Sequence, residues 1–189
     1  MPPATERAAA RTRISLPAIA VHILTVIGLT ALMIAASYVR APLPFTPVPV
    51  TFQTLVVILG SALVGARRGA AAQGLFLGLG ALGAPVFAGG AAGFAVMVGP
   101  TGGYLIGFML AAAIVGRLLG GWPASLARVT LVMALGAAII LVCGFIYLMA
   151  LGFSPGRAFT IGVTPFLLWD SVKVGMATLS YRLLVGKRG

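Results

Sequence analysis

The stretch RVTLVMALGAAIILVCGFIYLMA (128–150) carries no charged side chain after its first residue, Arg128. About 20 apolar residues are needed for a helix to cross the hydrocarbon core of a bilayer, and this stretch is long enough. Five other stretches share its apolar character, although two of them are short. We expect the other spans at 18–39, 50–66, 69–84, 104–119 and 164–185. The sequence therefore predicts an all-α integral membrane bundle of six transmembrane helices.

The composition independently favours a surface that faces lipid. Of the 189 residues, 60% are hydrophobic and 8% are charged, whereas an average soluble domain has roughly 45–50% and 25%. The net charge of +11 comes from basic residues scattered between the apolar stretches. Because they form no basic face or Arg-rich helix, we expect no nucleic-acid partner. A single cysteine, Cys143, excludes an intramolecular disulfide.

The basic residues also predict the orientation, because Lys and Arg are enriched in cytoplasmic loops. With six spans and both termini in the cytoplasm, ten of the 13 basic residues fall on the cytoplasmic side: Arg7, Arg11, Arg13, Arg67, Arg68, Arg117, Arg128, Arg182, Lys187 and Arg188. Arg40 and Arg157 fall outside, and Lys173 lies within the last span. We therefore expect cytoplasmic tails at 1–17 and 186–189 around one transmembrane domain at 18–185.

The segments between the spans differ in character. We expect a tight turn at Arg67 and Arg68, since charges at mid-bilayer cost about 2.5–3.5 kcal/mol each. The interval 40–49 is rich in Pro, and 85–103 contains Pro85, Pro100 and many Gly, so neither is continuous helix. The second interval carries no charge, which favours a buried re-entrant or capping loop after helix 3 over a flexible connector.

Glycines at four-residue spacing predict close helix packing, because small residues let backbones approach in lipid. The pairs are Gly74 with Gly78, Gly103 with Gly107, and Gly116 with Gly120. The GxGxxG pattern at Gly78, Gly80 and Gly83 is read as a packing face as well, since no strand precedes it.

Asp170 and Lys173 are the charged residues at membrane depth, three residues apart on one helix face. They are either a structural ion pair or a ligand site near the extracellular end of the last span. The neighbouring Trp169 is an interfacial anchor or the wall of a pocket. Gln53 can donate and accept hydrogen bonds, to a ligand or to another helix. The candidate ligand-binding residues are Asp170, Lys173, Trp169, Gln53, Thr51, Phe87, Gly89, Gly90, Thr101 and Tyr104.

Enzymatic chemistry has little support in the sequence. His22 is the only histidine, so a His-based metal cluster is not available, and we expect no metal, cofactor or catalytic residue. No GxxxxGK[ST] sequence is present, so ATP hydrolysis by that route is not expected of this chain. An intramembrane enzyme using Asp170 or Lys173 as acid or base remains an alternative.

Five motifs in order resemble the BioY family: PVPVTFQTL (47–55), GARRGA (65–70), GAPVFAGG (83–90), GPTGGYLIGF (99–108), and Asp170 and Lys173 after Pro165-Phe166. The resemblance extends over about residues 18–185. Members of that family are the biotin-capturing subunits (S components) of bacterial energy-coupling-factor (ECF) transporters, in the plasma membrane.

The resemblance implies a multi-pass plasma-membrane protein that binds biotin near the extracellular side. Asp170 and Lys173 would line the biotin site, and the loops 40–49 and 85–103 would close it. Ala31 and Ala35 match the small-residue face that docks on a transmembrane coupling protein (T component), with ABC-type ATPase subunits as further partners. Ordinary helix packing is the alternative for these two alanines, and another vitamin or small acidic ligand is the alternative for biotin.

Overall fold

The computed structural model describes residues 16–186, and within that range the chain is almost entirely helical. The elements are α1 (Leu16–Tyr38), β1 (Arg40–Ala41), β2 (Val50–Thr51), α2 (Gln53–Val64), α3 (Ala66–Ala81), a 3-10 turn (Ala88–Gly90), α4 (Phe94–Val98), α5 (Gly102–Leu118), α6 (Leu126–Ala150), α7 (Pro155–Gly162) and α8 (Thr164–Val185). The strands β1 and β2 pair antiparallel, with Arg40 opposite Thr51. The all-α class is confirmed.

Each predicted span overlaps one helix of 12 to 25 residues, with boundaries that differ by at most three residues. By length and composition, Pro17–Tyr38 and Leu126–Ala150 can each cross a membrane, and Gln53–Val64 and Gly102–Leu118 are shorter apolar helices. The short helices α4 and α7 were not predicted, because they lie in intervals that lack a long apolar run. Of the predicted tails, residues 1–15 and 187–189 lie outside the described residues.

The break between α2 and α3 lies at Gly65, not at the arginine pair. Gly65 has φ 86°, a left-handed conformation that glycine adopts without strain. Its N–H donates to the carbonyl of Ser61 and ends α2. Arg67 and Arg68 therefore lie in the first turn of α3, and the predicted turn at these residues is wrong by two positions.

The bundle places apolar side chains outside and several polar ones inside. Large apolar residues such as Leu24, Leu131 and Leu183 are at least two-thirds exposed. The interior is also apolar, but it holds the buried polar residues Thr30, Ser37, Gln53, Thr54, Ser61, Gln73, Asp170, Lys173 and Thr178. An exterior of this kind suits lipid rather than water, because exposed apolar surface of that extent is rare on soluble monomers.

Close packing of α5 on α6 depends on glycine. A Cβ on Gly107 would lie 2.8 Å from the Ile140 Cα, and one on Gly103 would overlap Tyr147. Gly116 is equally close to the backbone of Ala66 at the start of α3. These three glycines confirm the predicted packing.

Three other glycines in the predicted pairs have no such role. A Cβ on Gly74 or Gly78 would meet no atom within 4 Å. Gly120 lies beyond the end of α5 with φ 50°, where it forms a turn. The spacing alone could not separate the two groups, because it marks a helix face without showing whether a neighbour covers that face.

Gly107→Ala should lower the stability of the bundle, because the added methyl group overlaps the α6 backbone and overpacking typically costs about 1–3 kcal/mol. Gly78→Ala is the matched control, since it adds the same group to open space. Thermal unfolding in detergent should show a lower transition for Gly107→Ala only. Equal transitions for the two variants would contradict this account of the α5–α6 interface.

Candidate functional site

A cavity of about 250 Å³ lies at the end of the bundle where α2, α5 and α8 begin. Its size is close to the lower end of small-molecule sites, which range over about 300–1,000 Å³. Its walls come from the segment after α1, the starts of α2, α5 and α8, the middle of α6, and the interval 85–101. The lining residues are Arg40, Pro47, Val48, Pro49, Thr51, Gln53, Thr54, Phe87, Ala88, Ala91, Val96, Thr101, Tyr104, Leu105, Phe108, Ile140, Leu141, Phe166, Asp170 and Lys173.

The charged part of the cavity wall is an ion pair on α8. Lys173 Nζ lies 2.8 Å from Asp170 Oδ1, and the two side chains are only 5% and 7% exposed. The spacing of three residues places both groups on the inner face of α8. Removing two ions from water costs several kcal/mol per ion, which their attraction only partly offsets. A site that keeps both charges beside a cavity is therefore suited to a ligand that completes their hydrogen bonding.

Gln53, the first residue of α2, adds an unused donor to the wall. The Thr51 hydroxyl donates to Gln53 Oε1 at 3.2 Å, which fixes the orientation of the amide. Gln53 Nε2 is buried and has no hydrogen-bond partner within the described part of the chain. A buried donor left unsatisfied costs about 1–3 kcal/mol, so Nε2 is available to a ligand acceptor.

Two other polar residues of the cavity already have protein partners. The Tyr104 hydroxyl donates to the Gly162 carbonyl at 2.6 Å, so α5 is tied to the end of α7 and the ring remains as an apolar wall beside Phe166. The Thr101 hydroxyl donates to the Val96 carbonyl at 3.3 Å and fastens the interval 85–101 to the start of α5. Both residues shape the cavity more than they offer it hydrogen bonds.

The interval between α3 and α5 covers the cavity, but it is not a buried loop. Val86 and Phe87 are buried, and the Phe87 ring packs edge-on against Phe76 with centroids 5.5 Å apart. Ser37 on α1 donates to the Val86 carbonyl at 2.7 Å. Beyond this anchor most residues are exposed or half-exposed, including Phe94 at 63%. The prediction of a buried segment is corrected to a surface cap with one buried anchor.

Seven of the ten candidate ligand residues line the cavity: Asp170, Lys173, Gln53, Thr51, Phe87, Thr101 and Tyr104. Trp169 is half-exposed and lies in an adjoining, mainly apolar crevice, which shares Arg40 and Lys173 with the cavity. Gly89 and Gly90 lie outside the cavity, and Gly89 packs against the Arg40 guanidinium. Ala31 and Ala35 are exposed on α1.

Arg40 also lines the cavity, although it was not among the candidate residues predicted from the sequence. It is exposed at the mouth of the cavity, at the start of β1. The sequence did contain a signal for Arg40: it adjoins the proline-rich interval and lies on the side of the membrane opposite most of the basic residues. The apolar lining residues, such as Phe108 and Ile140, gave no signal because every span is apolar. Within residues 16–186, no group of three or more His, Cys, Asp or Glu side chains could hold a metal ion.

The fold is a helical bundle with an exterior suited to lipid, and its cavity under the surface cap is a candidate small-molecule site. The sequence model of the BioY family matches residues 7–187. The chain belongs to the BioY family.

Relatives and one solved structure agree with this assignment. The chain is 37% identical to the biotin transporter BioY of Thermotoga maritima, over 79% of this chain and 87% of that protein. It is also 37% identical to the biotin transporter BioY of Rhodobacter capsulatus, over 87% of this chain and 93% of that one. A crystal structure of the S-component for biotin from an ECF-type ABC transporter superposes with a TM-score of 0.82 at 23% identity, covering 94% and 97% of the two chains, and shows the same fold.

Removing one member of the ion pair should destabilise the protein by about 3–5 kcal/mol, because the other charge is left buried without compensation. Asp170→Leu and Lys173→Met should each show this loss in chemical unfolding in detergent. The double variant Asp170→Leu/Lys173→Met should recover most of the stability, since neither charge remains. A double variant with the summed loss of the two single variants would contradict the coupling between Asp170 and Lys173.

Proposed function

We propose that this protein captures biotin at the extracellular face of the bacterial plasma membrane, as the substrate-binding subunit of an ECF-type transporter. The observation that carries the proposal is the buried Asp170–Lys173 pair in the wall of a mainly apolar cavity. Relatives of two species are named biotin transporters, and the matching crystal structure is named an S-component for biotin. These names also favour a transport protein over an enzyme.

The polar groups of the cavity match the ureido ring of biotin. That ring presents two N–H donors and one carbonyl acceptor. Asp170 accepts one of these N–H groups, and Lys173, already bonded to Asp170 Oδ1, holds the carboxylate in place. Gln53 Nε2 is a donor without a protein partner and supplies a hydrogen bond to the ureido carbonyl. The apolar side chains, among them Phe108 and Phe166, surround the thiophane ring and the aliphatic chain.

Arg40 supplies the cation for the carboxylate of biotin. Lys173 is buried and bonded to Asp170, whereas Arg40 is exposed at the mouth of the cavity. A guanidinium can bind a carboxylate through two parallel hydrogen bonds. The ureido ring therefore lies at the ion pair, and the valeryl chain extends towards the mouth.

In the membrane, the six helices at the predicted spans lie across the bilayer and both termini face the cytoplasm. The lipid-compatible exterior and the distribution of arginines support this topology. Biotin is the ligand that this chain binds in the proposed function, and the function needs no resident cofactor.

Coupling to ATP hydrolysis depends on partner subunits: a transmembrane coupling protein and ABC-type ATPases. Ala31 and Ala35 lie one helical turn apart and exposed on α1, where a partner helix can approach closely. Their exposure supports a docking role over packing inside this bundle.

Asp170→Asn should weaken biotin binding about 10- to 100-fold, because hydrogen bonds to a charged group contribute about 1.5–3 kcal/mol. Ser171→Ala is the matched control, since Ser171 is exposed and bonds only to the Leu167 carbonyl one turn earlier. Equilibrium binding of radiolabelled biotin to the purified protein measures both effects. Competition by riboflavin or thiamin, or absence of binding in a folded sample, would contradict the biotin assignment.

Arg40→Gln should weaken binding of biotin by about tenfold and leave binding of biotin methyl ester unchanged, because the ester has no charge for Arg40 to bind. Arg157→Gln is the control, since Arg157 is also exposed but lies over the Phe153 ring, away from the cavity. The measurement is displacement of radiolabelled biotin by each compound. An equal loss for acid and ester would contradict the role of Arg40.

A further inference from the structure

A second cleft lies at the opposite end of α2 from the ligand cavity. It has a volume of about 590 Å³ and separates the N-terminal half of α1 from the break between α2 and α3. The lining residues are Ala18, Ile19, His22, Val64, Gly65, Ala66, Arg67 and Arg68. Since α2 begins at Gln53 in the cavity and ends at Val64 in the cleft, the two sites are about 16 Å apart along its axis.

The cleft carries positive charge that the described residues do not neutralise. Arg67 is exposed and Arg68 is half-exposed, in a first helical turn of α3 that holds no acidic residue. Between residues 16 and 186 the single acidic residue is Asp170, which is paired with Lys173 at the other end of the bundle. Two adjacent cations at the positive end of a helix dipole repel each other and favour an anion.

Two other arginines at this end have protein acceptors, unlike the pair in the cleft. Arg128 donates to the Leu118 carbonyl at 3.0 Å, and Arg182 donates to the Ala124 carbonyl at 2.7 Å. Among residues 16–186, neither Arg67 nor Arg68 has a hydrogen-bond acceptor. Their guanidinium groups are thus free to bind a group from outside this part of the chain.

The remaining walls of the cleft show which kind of anion fits. Ala18, Ile19, Val64 and Ala66 are apolar, and Ile19 is 42% exposed. A free phosphate ion would use only the basic part, whereas a phospholipid places its phosphate on the arginines and its acyl chains along the apolar wall. Basic pockets between membrane helices bind anionic headgroups in this way. We propose that the cleft binds one anionic phospholipid through Arg67 and Arg68, a role separate from biotin capture.

The test is native mass spectrometry of the full-length protein in detergent, titrated with palmitoyl-oleoyl-phosphatidylglycerol or the matching phosphatidylcholine. Arg67→Gln/Arg68→Gln should weaken retention of phosphatidylglycerol about 25-fold, or about fivefold per arginine. The control Arg117→Gln/Arg157→Gln removes the same charge from exposed sites outside the cleft and should stay within about twofold of the unmodified protein. Arg67→Lys/Arg68→Lys should retain most of the binding, which separates loss of charge from misfolding.

Four outcomes would overturn the proposal. Equal losses in the two glutamine double variants would indicate a general charge effect. Equal retention of phosphatidylcholine would exclude headgroup recognition, and displacement of phosphatidylglycerol by an equal concentration of inorganic phosphate would exclude a lipid-specific site. Unchanged lipid binding in Arg67→Gln/Arg68→Gln, together with lost assembly with the coupling protein, would assign the cleft to that protein instead.

Discussion

The ion pair between Asp170 and Lys173 is the interaction on which the proposed function of this bundle depends. Its two charges are buried at 2.8 Å from each other in a protein whose interior is otherwise mainly apolar. In such surroundings each ion keeps a large desolvation penalty, and the pair stays favourable only if its remaining hydrogen-bonding capacity is also used. The adjacent cavity and the unsatisfied Gln53 amide provide room and a third polar group for a ligand that does so.

The long helices could be predicted from the sequence because lipid demands about 20 apolar residues for each span. Hydropathy did not give the exact helix boundaries, because the break at Gly65 depends on a backbone conformation rather than on polarity. Charged residues were informative for the opposite reason, since few occur at membrane depth. Asp170 and Lys173 could therefore be predicted as a pair, whereas the apolar cavity wall could not be told apart from any other span.

The cap shows a second limit of sequence reasoning. Its lack of charge predicted burial, but the structure buries only Val86 and Phe87 and leaves most of the rest on the surface. Small residues around the anchor let the segment lie close to Arg40 and the cavity mouth. The cap and the exposed Arg40 thus border the same cavity as the buried ion pair.

The most direct test of the central claim is a double cycle between Asp170 and the ureido N–H groups of the ligand. Affinities of the unmodified protein and of Asp170→Asn would be measured for biotin and for biotin methylated on a ureido nitrogen. If Asp170 accepts that hydrogen bond, methylation should weaken binding to the unmodified protein about 10- to 100-fold and should have a much smaller effect on Asp170→Asn. Equal effects of methylation on both proteins would show that Asp170 does not recognise the ureido group, and would contradict the account.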